Sequence, residues 1–140
     1  MNKILFIVLV SLMSISVFAQ RNEIKFPNEP IEKIIVHTDR DLYLSGEKIW
    51  FKANCFVTDG AIDHHLSNVL YIELYNRSRD YIVKRKYSIE DGKAFGSIDI
   101  PVEFISGNYY LRAYTQYLKN YQPENFYTSI LTIVDPRVPL

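Results

Sequence analysis

From residue 31 onward, apolar and polar positions alternate in seven short stretches. The clearest is 48–57, where Ile49, Phe51, Ala53, Cys55 and Val57 fall on one side and Lys52 and Asn54 on the other. A period of two marks a strand with one buried face. Stretch 68–75 repeats it with Leu70, Ile72 and Leu74, and 31–38 carries the β-branched centre Ile34-Ile35-Val36. Stretches 81–88, 94–100, 109–116 and 126–134 complete the set, and no segment shows a helical period. Between them stand turn-forming residues: Ser45-Gly46, residues 76–80, Asp91-Gly92 and Ser106-Gly107-Asn108. Seven short, evenly spaced strands predict an all-β, seven-stranded antiparallel β-sandwich. Its longest connections span 58–67 and 117–125.

The alternation assigns individual roles. Gly46, Gly92 and Gly107 stand where a left-handed backbone is expected, which glycine takes without steric cost. Pro101 and Pro136 follow strands, where a missing N–H does no harm. Trp50 alternates onto the side opposite Ile49 and Phe51; it lies beneath the second sheet's edge or stands exposed as a contact residue, and burial is the expectation. Cys55, beside Ala53 and Val57, is expected to be a buried, inert thiol. Tyr109 opens the next-to-last strand, where a tyrosine hydroxyl commonly bonds back to nearby backbone.

The first residues do not fit the sandwich. Met1-Asn2-Lys3 supplies a charge, residues 4–17 are apolar apart from three serines, and Val17-Phe18-Ala19 ends the run. This is the layout of a secretory signal peptide cleaved after Ala19. The expected organisation is a leader at 1–19, a lead segment at 20–30, one sandwich at 31–134 and a linker or tail at 135–140. No membrane span is expected after processing, and the exported chain belongs in the periplasm, at the outer-membrane surface or outside the cell. Once Lys3 is removed from the 16 basic side chains, 15 face 16 acidic ones. That balance offers no electrostatic footprint for nucleic acid. The run Lys84-Arg85-Lys86 is short and alternates along a strand, so it reads as a solvated surface. Cys55 alone forms no internal disulfide, so the core rests on burial.

Catalytic and metal-binding arrangements are sparse. Asp63-His64-His65 is the one cluster resembling metal ligands, with His37 a third candidate if the fold brings it near. A solvated loop is the expectation there, so no metal is assigned. The sequence contains no phosphate loop, no Gly-x-Ser-x-Gly elbow and no His-Glu-x-x-His. Asn76-Arg77-Ser78 fits a glycosylation sequon, but turn chemistry accounts for it. The expectation is a protein that is not an enzyme and uses no cofactor.

The stretch Thr38-Asp39-Arg40-Asp41-Leu42-Tyr43-Leu44-Ser45-Gly46-Glu47-Lys48-Ile49-Trp50-Phe51-Lys52 resembles the opening of the second macroglobulin-like domain of the alpha-2-macroglobulin family. Gly92 to Phe95, and Pro101 through Gly107-Asn108-Tyr109-Tyr110-Leu111-Arg112-Ala113-Tyr114, are similar to that domain's closing half. The resemblance spans roughly 31–134 and implies a macroglobulin-like, immunoglobulin-like sandwich. It also implies a module near the N-terminus of envelope or secreted proteins of the Bacteroidetes group, in some followed by a plug domain like that of TonB-dependent receptors. Asp41 and Leu44-Ser45 stand where macroglobulins often carry proline, so the turn there differs. Cys55 is followed by Phe56-Val57 rather than by the residues of a thioester, so protease trapping does not carry over.

Two functions stay open. One is a non-catalytic structural or protein-interaction module of the cell envelope, whose partner is another envelope protein or a further domain of a longer chain. The other is a carbohydrate-binding sandwich that stacks sugars on exposed tyrosines. A small-molecule ligand is not expected. Tyr110, Arg112, Tyr114, Tyr117 and Tyr121 are the candidate partner-binding residues. Tyr110, Arg112 and Tyr114 share one strand face, opposite Tyr109, Leu111 and Ala113, and are expected to point outward.

Overall fold

The computed structural model describes residues 31–57, 66–80 and 82–138. The leader, the lead segment and Asp63-His64-His65 lie outside the described residues. Eight strands follow in order: β1 (Glu32–Thr38), β2 (Leu42–Leu44), β3 (Lys48–Val57), β4 (Val69–Asn76), β5 (Ile82–Ser88), β6 (Lys93–Asp99), β7 (Gly107–Thr115) and β8 (Tyr127–Val134). They form two sheets, a three-stranded one ordered β1-β3-β6 and a five-stranded one ordered β2-β8-β7-β4-β5.

All-β architecture is as expected, but the count and direction of the strands are not. β2 adds an eighth strand and runs parallel to β8, so the larger sheet is mixed rather than antiparallel throughout. Three residues are too few to show a period of two. β2 is held from outside itself: Ser45 donates to the Val134 carbonyl at 2.9 Å, and Thr132 donates to Asp41 at 2.8 Å. Two short 3-10 turns, Leu118–Asn120 and Pro123–Asn125, occupy the long connection before β8.

Alternation places the core where the sequence put it. Ile49, Phe51, Ala53, Cys55 and Val57 face inward with Ile34 and Val36, against Leu70, Ile72, Leu74, Leu111 and Leu131 of the other sheet. Truncating one such leucine to alanine removes roughly 2–5 kcal/mol, because transfer and cavity costs add. Burial, helped by the charge on Glu32, pushes the Cys55 thiol up to about 12, which keeps it protonated and inert. The Tyr109 hydroxyl donates to the Ile105 carbonyl at 3.1 Å, the bond its position promised.

Two glycines are held by close approach. Gly92 has φ +69°, and a Cβ there would lie 2.8 Å from the Cys55 carbonyl oxygen. At Gly96 a Cβ would lie 2.4 Å from the Tyr87 ring. That ring packs edge-on to Phe51 and bonds the Ser97 carbonyl at 2.6 Å, closing the sandwich between β5 and β6. Gly46 takes the expected positive φ, but Gly107 does not; it opens β7 in open space.

Glu32 is fully buried. Its carboxylate accepts the N–H groups of Leu66 and Ser67 and the hydroxyls of Ser67 and Thr115, so its charge is satisfied while it ties β1 to β7. The alternation holds the clue, since Glu32 shares its face with Ile34 and Val36. Asp135 is also buried, and Arg137 holds it in a bidentate pair at 2.8 and 3.0 Å that keeps the carboxyl below its ordinary range. The Asp135 N–H donates to the Ser106 hydroxyl at 2.9 Å, which fastens the start of the expected linker to the domain.

Candidate functional site: the two outer sheet faces

On the five-stranded sheet, the outward residues of β4 and β7 form cross-strand rows. Tyr71 pairs with Tyr114, Glu73 with Arg112, and Tyr75 with Tyr110. Directly opposed side chains lie within about 5.5 Å at Cβ, so paired aromatics meet. The Tyr71 and Tyr114 rings stack at 5.4 Å and 3°, and Phe126 also stacks with Tyr114 at 4.9 Å. Tyr75 and Tyr110 stack at 5.6 Å. Cations cover what remains: Lys119 lies over Tyr71 and Tyr114 at 4.8 and 5.2 Å, and Arg112 over Tyr75 at 5.0 Å.

The expected binding residues are thus brought together in part. Tyr110 and Arg112 stand half-buried on the outer face. Tyr114 shares that face but is only 9% exposed, which corrects its expected accessibility. The cause is its packing against Tyr71, Phe126 and Lys119. Its hydroxyl donates to Glu73 Oε1 at 2.9 Å, and Lys84 reaches the same oxygen at 3.1 Å. Burial first, and then the Glu73 carboxylate, push the Tyr114 hydroxyl up to about 12. Tyr117 and Tyr121 lie beyond β7, with their hydroxyls 2.7 Å apart.

The outer face of the three-stranded sheet is arranged differently. Trp50 is 58% exposed, Phe95 63% and Ile35 42%. The expected burial of Trp50 is corrected: with Ile49 and Phe51 turned inward it faces out, and among the described residues no third layer covers β3. The register sets Trp50 beside Ser97, and Phe95 beside Lys52 and then His37. Neither Trp50 nor Phe95 therefore stands directly opposite another ring. Lys48 and Lys52 approach Trp50 and Phe95 at 5.5 and 5.9 Å, near the ~6 Å limit of cation–π reach. Sequence reasoning missed this face because its apolar side chains are scattered singly over three strands.

The stretch Thr38 to Lys52 that carries the family resemblance has a structural job. Asp39 Oδ1 accepts the Tyr43 hydroxyl at 2.7 Å and the Trp50 N–H at 2.9 Å. Burial works to raise the Asp39 carboxyl, but bonds from Tyr43, Trp50 and Arg40 outweigh it and hold it below its ordinary range. Glu47 accepts the Leu44 N–H and pairs with Arg40 at 3.3 Å. These bonds lock the crossover from β1 to β3.

Elsewhere, a shallow hollow of about 350 Å³ lies between residues 76–78 and 105–109. His37 is exposed on the smaller sheet, and among the described residues no three His, Cys, Asp or Glu side chains gather as metal ligands.

No family model matches the chain, and no curated protein matches it. Among solved structures it is similar to a Salmonella alpha-2-macroglobulin, with TM-score 0.58 and 15% identity over 74% of this chain. The match spans 6% of the length of that protein. A CARDB domain from Pyrococcus furiosus, crystallised with two metal ions, aligns at TM-score 0.45 and 12% identity over 76% of this chain and 96% of its own. A beta-glucosidase from Listeria innocua aligns at 0.43 and 12% over 74% of this chain and 16% of its own. The first likeness supports a macroglobulin-like β-sandwich fold and nothing of function.

Proposed function

We propose that this chain is a non-catalytic structural and interaction module of the bacterial cell envelope, standing near the N-terminus of a longer, TonB-receptor-associated protein. It is exported by its leader and acts by contact with another envelope component. The observation that carries the reading is the outer face of the three-stranded sheet, where Trp50, Phe95 and Ile35 stand exposed. Single exposed apolar residues are ordinary, so the weight rests on the two exposed rings, because aromatic side chains are enriched at contact surfaces. The likeness to a small part of a much longer macroglobulin supports a modular role.

Glycan binding is the second reading. Covered Tyr114 weighs against the tyrosine face as its platform, and the exposed Trp50 and Phe95 favour the opposite sheet. Fractionation of the native host tests the envelope role. The full chain should sediment with the envelope, and a Trp50→Ser/Phe95→Ser variant that melts like the parent should be released. A soluble parent, or a variant that stays bound, contradicts the reading.

A further inference from the structure

Accepting that reading of the exposed face, we infer that its ligand is a carboxylated polysaccharide. The face is a strip. Its three strands set the outer axes roughly 10 Å apart, and seven paired positions run about 23 Å along them. A specific protein interface covers about 800 Å² per partner, well beyond such a strip. A single extended sugar chain fits it.

The chemistry of the strip is mixed in the way a sugar acid requires. Trp50 and Phe95 offer ring faces to the C–H faces of pyranose rings. They sit on neighbouring strands at diagonal positions, which places them roughly 7–8 Å apart. Lys33, Lys52 and Lys93 alternate onto the same face; among the described residues Lys33 and Lys52 form no ion pair, while Lys93, at the strip's end, stands opposite Glu90. Two acidic side chains lie on or at the end of the strip, and both are paired: Asp99 with Lys48 and Asp39, beside Trp50, with Arg40, each at 3.3 Å. The strip is therefore net positive in a chain whose formal charge is zero. Lys52 sits in its middle row, between Phe95 and His37, where a protein interface core is depleted of lysine. Asn54, opposite Lys93, and Ser97, opposite Trp50, add neutral polar groups suited to sugar hydroxyls.

Affinity electrophoresis of the full chain tests this, with polygalacturonate as the acidic probe and dextran as the neutral one. Polygalacturonate should retard the protein and dextran should not. Trp50→Ala and Lys52→Ala should each weaken retention about ten-fold, with melting curves unchanged and Phe95→Ala as a second ring variant. Tyr110→Ser, on the opposite face, should retain full binding. Equal retention by polyglutamate would mean that charge alone is read, and would overturn the role of the rings. Binding to vesicles of phosphatidylglycerol and phosphatidylcholine, without binding to polygalacturonate, would assign the strip to a lipid surface and overturn the proposal. If nothing binds while the Trp50→Ser/Phe95→Ser variant still leaves the envelope, the ligand class fails and the contact reading stands.

Discussion

Tyr114 on the larger sheet stacks with both Tyr71 and Phe126, whereas among the described residues Trp50 on the smaller one has a lysine near its ring and no stacked aromatic. Both faces carry aromatics and lysines, so composition does not separate them. Register does. On the larger sheet aromatic stands opposite aromatic in two rows, and each ring takes its neighbour as solvent would be taken. On the smaller sheet Trp50 stands opposite Ser97 and Phe95 opposite Lys52, and both rings remain more than half exposed. A cross-strand pair thus decides whether an outward aromatic stabilises the fold or remains available to a ligand.

The largest expected effect is at Tyr114. Tyr114→Ala should cost roughly 3 kcal/mol in urea unfolding, because two stacked neighbours and a bonded hydroxyl lose their partner. A loss under about 0.5 kcal/mol, the size typical of surface sites, would erase the distinction between the faces. Alkaline pH should act on the same face. A hydroxyl whose folded pKa is raised from 10.0 to about 12 keeps its proton longer in the native state. Its stabilising contribution is present below about pH 10 and is lost as pH rises toward 12. Cys55, raised from 9.0 to about 12, adds to the loss in the same direction. Unfolding midpoints followed from pH 8 to 12 should fall, and Tyr114→Phe should shallow the fall.

Ser97→Tyr is a smaller and more pointed test, since it sets a ring opposite Trp50 as Tyr71 stands opposite Tyr114. It should stabilise the domain by about 0.5 kcal/mol and reduce quenching of Trp50 fluorescence by acrylamide. Trp50 is the single tryptophan, so the signal is unambiguous. Trp50→Ala should shift stability least, within about 0.5 kcal/mol. A loss of several kcal/mol would place that ring in the fold's own packing.

Much of this fold is legible in the chain because a period of two fixes both strand and face. The inward set from Ile49 to Val57 and the Tyr109 bond follow directly from it. β2 was hidden because three residues cannot display a period and its partner β8 lies far along the sequence. Pairing was hidden for a related reason. That Tyr114 points outward is a local fact, but that Tyr71 and Phe126 cover it depends on which strands become neighbours and in what register. Trp50 misled in the opposite direction, since a large aromatic suggests burial until the number of layers is known. Glu32 follows the same period, since it shares the inward face of Ile34 and Val36, although its charge alone favours an outward position.

Hydroxyl-radical footprinting of the folded chain, read residue by residue by mass spectrometry, tests the division between the faces most directly. Trp50 and Phe95 should be oxidised in the native protein almost as fast as in the denatured chain, while Tyr114 should be protected until the domain unfolds. Protection of Trp50 and Phe95 together with rapid oxidation of Tyr114 would contradict the account.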